Sequence, residues 1–247
     1  MIDGKEFKIT ERGGKAGREL ARRYLEQEYR AAGYDVAMKA YKTGSNFVAE
    51  LKGSTPDRVL IISSHFDSVG NAGANDDGIG TMSALIMARS LAKLKHKPTL
   101  RFVAFDEEEL GLVGSKAYVK SLDPQETIIG DVQMEMMGVD SDGDGAFHVI
   151  DCARKDSVHL TKTIAQMVGQ TGLPITILAA CTDRSDHASF WNADKPAVVL
   201  SENFFGGDPD PCYHRRCDVI DQRINFAYAA NIATVVALAA TQWLESE

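Results

Sequence analysis

The stretch "RVLIISSHFDSVGNAGANDDGIG", residues 58–80, combines two patterns that together indicate the fold class and the position of a site. It opens with a continuous apolar run, which is typical of a strand buried on both faces of a sheet. The run ends at His65, and the next fifteen residues contain three aspartates and four glycines. Because ligands bind just beyond the carboxyl ends of strands in α/β proteins, this loop predicts a binding site.

The alternation of strand-like and helix-like segments continues on both sides of this stretch. Further strand-like runs lie at residues 46–52, 99–105, 128–136, 146–150, 175–178 and 197–200, and helix-like segments at 15–32, 78–95, 109–121, 156–170 and 223–244. Strands that alternate with helices predict an α/β fold with a largely parallel or mixed sheet. Since the chain has 247 residues and shows no repeat or linker, we expect one domain over residues 1–247.

The composition argues against two classes of partner. A net charge of −8 is the opposite of what a nucleic-acid-binding surface requires. The most apolar stretch, residues 225–245, carries Asn, Thr and Gln throughout, so we interpret it as a buried terminal helix and expect no membrane span. The first fifteen residues lack the apolar core of a signal peptide.

Acidic side chains accompany two further strand-like runs. The sequence "DEEE", residues 106–109, comes directly after the run 99–105, and Glu135 lies near the end of the run 128–136. Acids are common at helix N-termini, which is the ordinary explanation for the first group. Glu135 is harder to explain in this way, because a carboxylate in an apolar strand needs a cation or hydrogen-bond partners.

Two imidazoles complete this set of candidate ligands. One is His65, and the other is His214 in "CYHRRC", residues 212–217. Asp76 and Asp77, in the glycine-rich loop, have an ordinary explanation as caps of the following helix. Taken together, however, imidazole nitrogens and carboxylate oxygens from separate strand ends are donors that zinc binds readily. Two zinc ions about 3.5–4 Å apart can share one bridging carboxylate.

Five segments of the chain resemble, in order, the motifs of the co-catalytic dizinc aminopeptidase family. That family includes secreted bacterial leucine aminopeptidases and glutamate carboxypeptidase. The matching segments are "HFDS" (65–68), "GANDDGIG" (73–80), "EELGLVGSKAY" (108–118), "MEMMG" (134–138) and "CYHRRCD" (212–218). The resemblance implies a three-layer α/β/α fold with a central mixed, mostly parallel sheet. It also implies a hydrolase with two Zn²⁺ per chain that removes N-terminal residues from peptides with a free N-terminus.

The same resemblance implies a role for each matched side chain. The zinc ligands would be His65, Asp76, Glu109, Glu135 and His214, with Asp76 bridging both ions and Glu109 on the ion opposite to that of Glu135. The remaining roles would be general base for Glu108, orientation of His65 for Asp67, and contact with the substrate carbonyl for Arg184 and Tyr213. The resemblance further implies a cis peptide between Asp76 and Asp77.

Three positions leave alternatives open. "DEEE" has one acid more than the usual pair of the family, so its alignment with the family motif is ambiguous. An alignment anchored on "ELGLVGS", which we favour, makes Glu108 the base, and an alignment shifted by one residue makes it Glu107. The ligand at Glu135 is often Asp in the family. His187 in "SDH" competes with His214 for the role of the last histidine ligand, and the match of "CYHRRCD" favours His214.

The cysteines bear on the compartment. We predict a disulfide between Cys212 and Cys217 that pins the loop carrying His214; free thiols in a reduced cytosol are the alternative. A structural zinc site at this pair is disfavoured, because such sites need four ligands. A disulfide implies an oxidising compartment, so we expect a secreted or periplasmic protein whose leader has been trimmed. A pairing of Cys152 with Cys181 is also open, although nothing in their local sequence indicates it.

The loop "DSDGDGAFHVID", residues 140–151, has the acid spacing of a calcium-binding loop, with Gly145 at its sixth position. Its calcium ligands would be Asp140, Asp142, Asp144 and Asp151. The loop lies between strand-like runs rather than helices, however, and a polar hairpin turn explains Asp-Gly pairs equally well. Calcium is therefore a second candidate cofactor beside zinc.

Three other functions compete with an aminopeptidase. A carboxypeptidase or dipeptidase on the same metal centre needs a basic pocket for the substrate carboxylate, for which Arg184 is the candidate. A single-zinc glutaminyl cyclase does not need the full second ligand set. A catalytically inactive, receptor-like domain is expected to have lost ligands, and this sequence keeps all of them.

Overall fold

A mixed β-sheet organises the protein in the computed structural model, which describes residues 1–245. Its strands are β1 (Asp35–Ala40), β2 (Ser45–Leu51), β3 (Thr55–His65), β4 (Pro98–Phe105), β5 (Thr127–Met134), β6 (Ala146–Ile150), β7 (Thr176–Leu178) and β8 (Ala197–Glu202). The helices are α1 (Lys15–Ala31), α2 (Gly80–Leu91), α3 (Val113–Lys120), α4 (Val158–Thr171), α5 (His187–Trp191) and α6 (Phe226–Glu245).

The order of the strands brings several strand ends to one edge of the sheet. The order is β1-β2-β4-β3-β5-β8-β6-β7. The pairs β4–β3, β3–β5, β5–β8 and β6–β7 are parallel, whereas β1–β2, β2–β4 and β8–β6 are antiparallel. His65 pairs with Phe105, so β3 and β4 end side by side. The prediction of a mixed, mostly parallel sheet is confirmed, and the carboxyl ends of β3, β4, β5 and β8 meet.

Helices cover both faces of the sheet, which confirms the three-layer arrangement. Alternate residues of β3 serve the two cores, as the period of a strand requires. Leu60 and Ile62 belong to the larger core, which includes residues of α1, α2, α4 and α6. Val59 and Ile61 belong to the smaller one, which includes Tyr118 of α3 and residues of α5.

Helix α6 is the apolar segment that the sequence analysis interpreted as a buried terminal helix. By length and composition alone it could cross a membrane. Its side chains at Ile232, Val235 and Val236 are fully buried inside the larger core, however. The helix therefore has few charged residues because it packs in the core against the sheet.

Two elements differ from the sequence prediction in ways that matter. Strand β1 was not predicted, since five of its six residues are exposed and it carries no apolar run. Helix α3 begins at Val113 rather than at residue 109. Glu107, Gly111 and Leu112 have φ angles of 59°, 99° and 60°, so this segment forms turns instead of helix. Its acidic side chains therefore lie in a loop at the end of β4.

Candidate metal centre

Five acidic and imidazole side chains converge where the strands end. His65 is the last residue of β3, and Glu135 follows β5 directly. Asp76 lies in the distorted turn Ala74–Ile79 before α2, and Glu109 lies in the loop after β4. His214 is carried by the long loop between β8 and α6. The structure thus brings together all five side chains for which the sequence analysis predicted zinc ligation.

The first group of donors is buried and surrounds His65. The Nε2 atom of His65 lies 3.1 Å from Asp76 Oδ1 and 3.3 Å from Glu135 Oε1. One donor atom from each side chain lies within 4.8 Å of the other two. We call His65, Asp76 and Glu135 the buried half of the site.

The second group of donors surrounds His214 and shares Asp76 with the first. The Nε2 atom of His214 lies 3.2 Å from Asp76 Oδ2 and 3.0 Å from Glu109 Oε2. We call Asp76, Glu109 and His214 the exposed half. Asp76 therefore offers one oxygen to each half, and its peptide bond to Asp77 is cis, as the family resemblance implies.

The donor set fits a pair of zinc ions. Each half offers one imidazole nitrogen and two carboxylates, one of them shared, and zinc takes these ligand types. Glu109 Oε1 is buried without a hydrogen-bond partner among residues 1–245. Buried polar atoms of this kind are normally satisfied, so a cation between the carboxylates explains their burial.

The charges of the two halves influence one another. Burial acts to raise the pKa of Asp76, but hydrogen bonds from His214 and His65 outweigh it, and the pKa is lowered. Burial and the nearby charge of Asp76 raise the pKa of Glu109 to about 8. The carboxylate of Asp76 that the two halves share therefore stays ionised, and Glu109 needs a positive partner to ionise at neutral pH.

The structure separates the two candidate bases. Glu107 turns away from the metal donors: Arg18 donates to its Oε1 atom at 2.9 Å, and the Thr43 hydroxyl donates to its other oxygen. Glu108 lines the cavity that contains the donors. Burial raises the pKa of Glu108 well above its ordinary value. The geometry therefore favours Glu108 for proton transfer, the register chosen from the sequence.

Asp67 connects the loops that carry the ligands. One carboxylate oxygen lies 3.4 Å from His65 Nδ1. The backbone N–H groups of Glu108 and Glu109 donate to the same carboxylate at 3.1 and 3.2 Å. Asp67 thus faces His65, whose orientation it was predicted to fix, and it also holds the loop after β4.

A cavity of about 300 Å³ opens beside the two halves. Its apolar lining includes Met136, Ile150, Val199 and Phe204. Among the residues that the structure describes, Arg184 is the only Lys or Arg in the lining. Its guanidinium lies 3.5 Å from the hydroxyl of Tyr213, whose ring stacks on His214 with centroids 3.8 Å apart. The cavity therefore has an apolar side and one cationic group.

His187, the rival histidine, is engaged elsewhere. Its backbone N–H donates to Gln133 Oε1 at 2.7 Å, and its Nε2 atom lies 3.0 Å from the carbonyl of Thr182. Burial lowers its pKa to about 4. It borders the cavity but belongs to neither donor group, whereas His214 belongs to one.

Two disulfides are present in the described part of the chain. Cys212–Cys217 closes the loop that carries His214, as predicted. Cys152–Cys181, a pairing that the sequence left open, joins the turn after β6 to the segment before α5. The two cysteines lie 29 residues apart, and nothing in their local sequence marks the pairing.

Asp218 and Asn75 support the site and were not predicted. The carboxylate of Asp218 accepts hydrogen bonds from the backbone N–H groups of Asn75 and Asp76 at 2.8 and 3.2 Å. The Asn75 side chain donates to Glu202 at 2.9 Å and to Asp210 at 3.1 Å. Both residues stand inside matched motifs, "CYHRRCD" and "GANDDGIG", which was the available signal.

The predicted calcium loop is only partly assembled. Asp140, Asp142 and Asp144 each offer a carboxylate oxygen within 4.8 Å of the others. Asp151 does not join them; its carboxylate accepts from the Thr161 hydroxyl at 2.7 Å instead. The residue directly follows β6, and the length of the strand separates it from the turn.

Comparison with known proteins agrees with this geometry. A family model described as peptidase family M28 matches residues 46–240. Leupeptin-inactivating enzyme 1 of Streptomyces exfoliatus is 32% identical over 229 residues, which cover 83% of this chain and 51% of the relative. A zinc aminopeptidase from Bacillus subtilis has a TM-score of 0.74 at 25% identity, covering 85% of this chain and 52% of that one.

The fold is also similar to that of a glutaminyl cyclase from Porphyromonas gingivalis. The TM-score is 0.80 at 18% identity, covering 94% of this chain and 92% of that one, and the likeness concerns the fold alone. The chain spans about half the length, or less, of the curated relatives it matches.

Proposed function

Because the chain belongs to peptidase family M28, we propose that it is a zinc-dependent aminopeptidase that removes N-terminal residues from peptides. The observation that carries this proposal is the shared carboxylate of Asp76, which faces His65 on one side and His214 on the other. A general base, Glu108, borders the same cavity. We further propose that residues 1–247 act as one catalytic domain.

In this proposal the two halves each hold one zinc ion. His65 and Glu135 would hold one, Glu109 and His214 the other, and Asp76 would bind both. When bound, the pair would polarise the scissile carbonyl and make a water molecule more acidic near neutral pH. The zinc aminopeptidase among the similar structures supports the choice of metal. The calcium loop remains a weaker proposal, since only three of its four acids converge.

The side chains of this protein would supply the remaining steps. A free carboxylate oxygen of Glu108 takes a proton from the attacking water and then delivers it to the nitrogen of the leaving amine. Asp67 keeps His65 and the backbone of Glu108 in place during both transfers. Arg184 and the Tyr213 hydroxyl lie together at the cavity wall, where they would donate to the substrate carbonyl oxygen.

The cavity suits a peptide that ends in a free amine. The carboxylates of Glu109 and Glu135 border it and would accept hydrogen bonds from a free α-amine. Its apolar wall, with Met136 and Phe204, fits an apolar first side chain. Phe205 also borders the cavity, whereas Trp191 is buried in the smaller core. A carboxypeptidase would instead need a cationic pocket, and Arg184 is the single candidate in the described lining.

The proposed location is an oxidising compartment, outside the cell or in the periplasm. Two disulfides, Cys152–Cys181 and Cys212–Cys217, support it, because cytosolic thiols are usually kept reduced.

Substrates blocked at one end distinguish the possible activities. After zinc loading and dialysis, we expect two zinc ions per chain and cleavage of peptides with an amidated C-terminus, but not of peptides with an acetylated N-terminus. A carboxypeptidase would show the opposite preference. A cyclase would convert N-terminal Gln without releasing an amino acid, and one zinc ion per chain would favour it.

Two variants test the assignment of the base. Glu108→Gln should lower kcat by about 10²–10⁴-fold while zinc content stays at two, since proton transfer is lost but the ligands remain. Glu107→Gln, measured well below its unfolding temperature, should keep most of the activity. Loss of turnover in Glu107→Gln with full turnover in Glu108→Gln would show that the register of "DEEE" is shifted.

A further inference from the structure

Arg12 lies directly beneath the loop that connects His65 and Asp76, two of the three candidate ligands of the buried half. Its Nε donates to the carbonyl of Phe66 at 2.6 Å, and its two terminal nitrogens donate to the carbonyls of Ala72 and, at 2.8 Å, Gly73. Its own backbone N–H donates to the hydroxyl of Ser68 at 3.0 Å. One partly buried cation therefore contacts residues 66–73 at both ends.

The position of this loop determines where two candidate ligands stand. Phe66 is the residue after His65, and Gly73 stands three residues before Asp76. Ser68 in turn donates to the carbonyl of Asn71 at 2.8 Å, which closes the loop on itself. The three carbonyls converge on one planar guanidinium, so the two ends of the loop cannot separate without breaking charge-assisted hydrogen bonds.

The segment that carries Arg12 packs tightly against the loop. A Cβ atom added to Gly13 would lie 2.7 Å from the carbonyl oxygen of Ser68 and 2.8 Å from the nitrogen of Gly70. The backbone at Gly13 thus touches the loop backbone. This segment precedes residues 46–240, the part of the chain that the family model matches.

The charge of Arg12 also faces the site. Burial lowers its pKa, and the surrounding carboxylates of Asp77, Asp218, Asp67 and Asp76 act in the opposite direction. The described hydrogen bonds of its guanidinium go to carbonyls rather than carboxylates. The cation is therefore placed to hold the backbone while it offsets part of the negative charge under Asp76.

From these contacts we infer that Arg12 is a positioning residue of the metal centre, which fixes the separation of His65 and Asp76 through the loop between them. This inference rests on the metal site proposed above. Groups that orient metal ligands typically contribute 10–100-fold to metal affinity. Arg12 acts on the shared ligand, so its removal should weaken binding of both ions.

The test compares Arg12→Gln with a control on the following helix. Arg30→Gln removes an arginine of α1 that is 53% exposed and pairs with Glu26. Zinc affinity is measured by competition with a chromogenic chelator, on protein shown to be folded by circular dichroism, and the Tm of the zinc-free protein is recorded separately. Arg12→Gln should lower the affinity for both ions by about 10–100-fold, and Arg30→Gln should leave both unchanged.

Arg12→Lys keeps the charge but cannot reach three carbonyls with one ammonium group, so its affinities should fall between those of the wild type and Arg12→Gln. If Arg12→Gln does not fold, the zinc affinity of Arg12→Lys tests the inference instead. Wild-type zinc affinity in a folded Arg12 variant with a lowered Tm would mean that Arg12 only stabilises the fold, and would overturn the inference. Failure of the wild type to bind zinc would overturn the proposed function as well.

Discussion

The buried and exposed halves of the candidate metal centre use the same donor types in different settings. The His65 side chain is 1% exposed, and the His214 side chain is 41% exposed. His65 and Glu135 stand at the ends of neighbouring parallel strands, where the sheet fixes their positions. His214 stands on a loop between β8 and α6, and a disulfide between cysteines five residues apart closes the part of the loop that carries it.

This difference shows how one site can combine ligands that the sheet holds rigidly with ligands that are open to solvent. The sheet positions the buried half without help from the disulfide loop. The exposed half depends on that loop and borders the cavity through His214. We expect the ion of the buried half to be held more tightly, and that of the exposed half to exchange first.

The sharpest test of the comparison removes one histidine from each half. Structural zinc sites with four ligands gain about 10–16 kcal/mol, so one ligand is worth roughly 3 kcal/mol, or about 100-fold in affinity. His214→Ala should therefore retain one tightly bound zinc ion. His65→Ala should lose affinity at the buried half and also unfold at lower temperature, because Asp76 and Glu135 lose their buried partner.

Zinc titration by calorimetry and a thermal melt measure both effects. If the two alanine variants lose the same ion with the same affinity, the two halves are not independent and the comparison fails.

Asp67→Asn should have the next largest effect. Asp67 faces His65 and accepts from the loop after β4, so its neutral isostere should weaken zinc at the buried half by about 10–100-fold. Asp57→Asn, at an exposed position of strand β3, serves as the control. Equal zinc affinities of the two variants would remove Asp67 from the site.

The double variant Cys212→Ser/Cys217→Ser tests the exposed half alone. Opening so short a loop should lower the free energy of unfolding by about 2 kcal/mol. Zinc affinity should fall at the exposed half by less than the roughly 30-fold that this energy represents, and the buried half should not change. Cys152→Ser/Cys181→Ser is the matched control, for which we expect lower stability and unaltered zinc binding.

The smallest effect concerns a carboxylate of β5 that contacts neither half. Burial raises the pKa of Asp131 to about 8. The folded protein therefore keeps a proton that the unfolded chain has lost above about pH 4, so stability falls as the pH rises toward 8. Between pH 7 and 8 this loss is about 1 kcal/mol.

Asp131→Asn cannot titrate and should lack this part of the pH dependence. Urea unfolding of the wild type and the variant at pH 7 and 8 gives the difference. Identical pH dependence in the two proteins would mean that Asp131 is ionised in the fold.

The sequence allowed the sheet and the candidate ligands to be predicted because both leave local patterns. Buried strands such as β3 are continuous apolar runs, and ligands such as His65 follow them directly. The predicted start of α3 was less accurate, since the positive φ angles at Glu107 and Leu112 depend on contacts made elsewhere in the fold.

Local sequence patterns could not predict the residues that support the candidate site from a distance. Arg12 and Arg18 stand in a polar, charged stretch that reads as surface, yet each is held by a loop more than fifty residues away. Cys152 and Cys181 meet only because β6 and the segment before α5 are brought together. Such pairings follow from strand order, which a single sequence does not show.

The order of the strands has a consequence for how the protein is made. The candidate ligands His65 and His214 lie 149 residues apart, and β8 enters the sheet between β5 and β6 although it is translated after both. Contacts between distant parts of a chain form late. A nascent chain on the ribosome therefore carries an incomplete candidate metal centre until His214 has been translated, because the exposed half has no imidazole before that point.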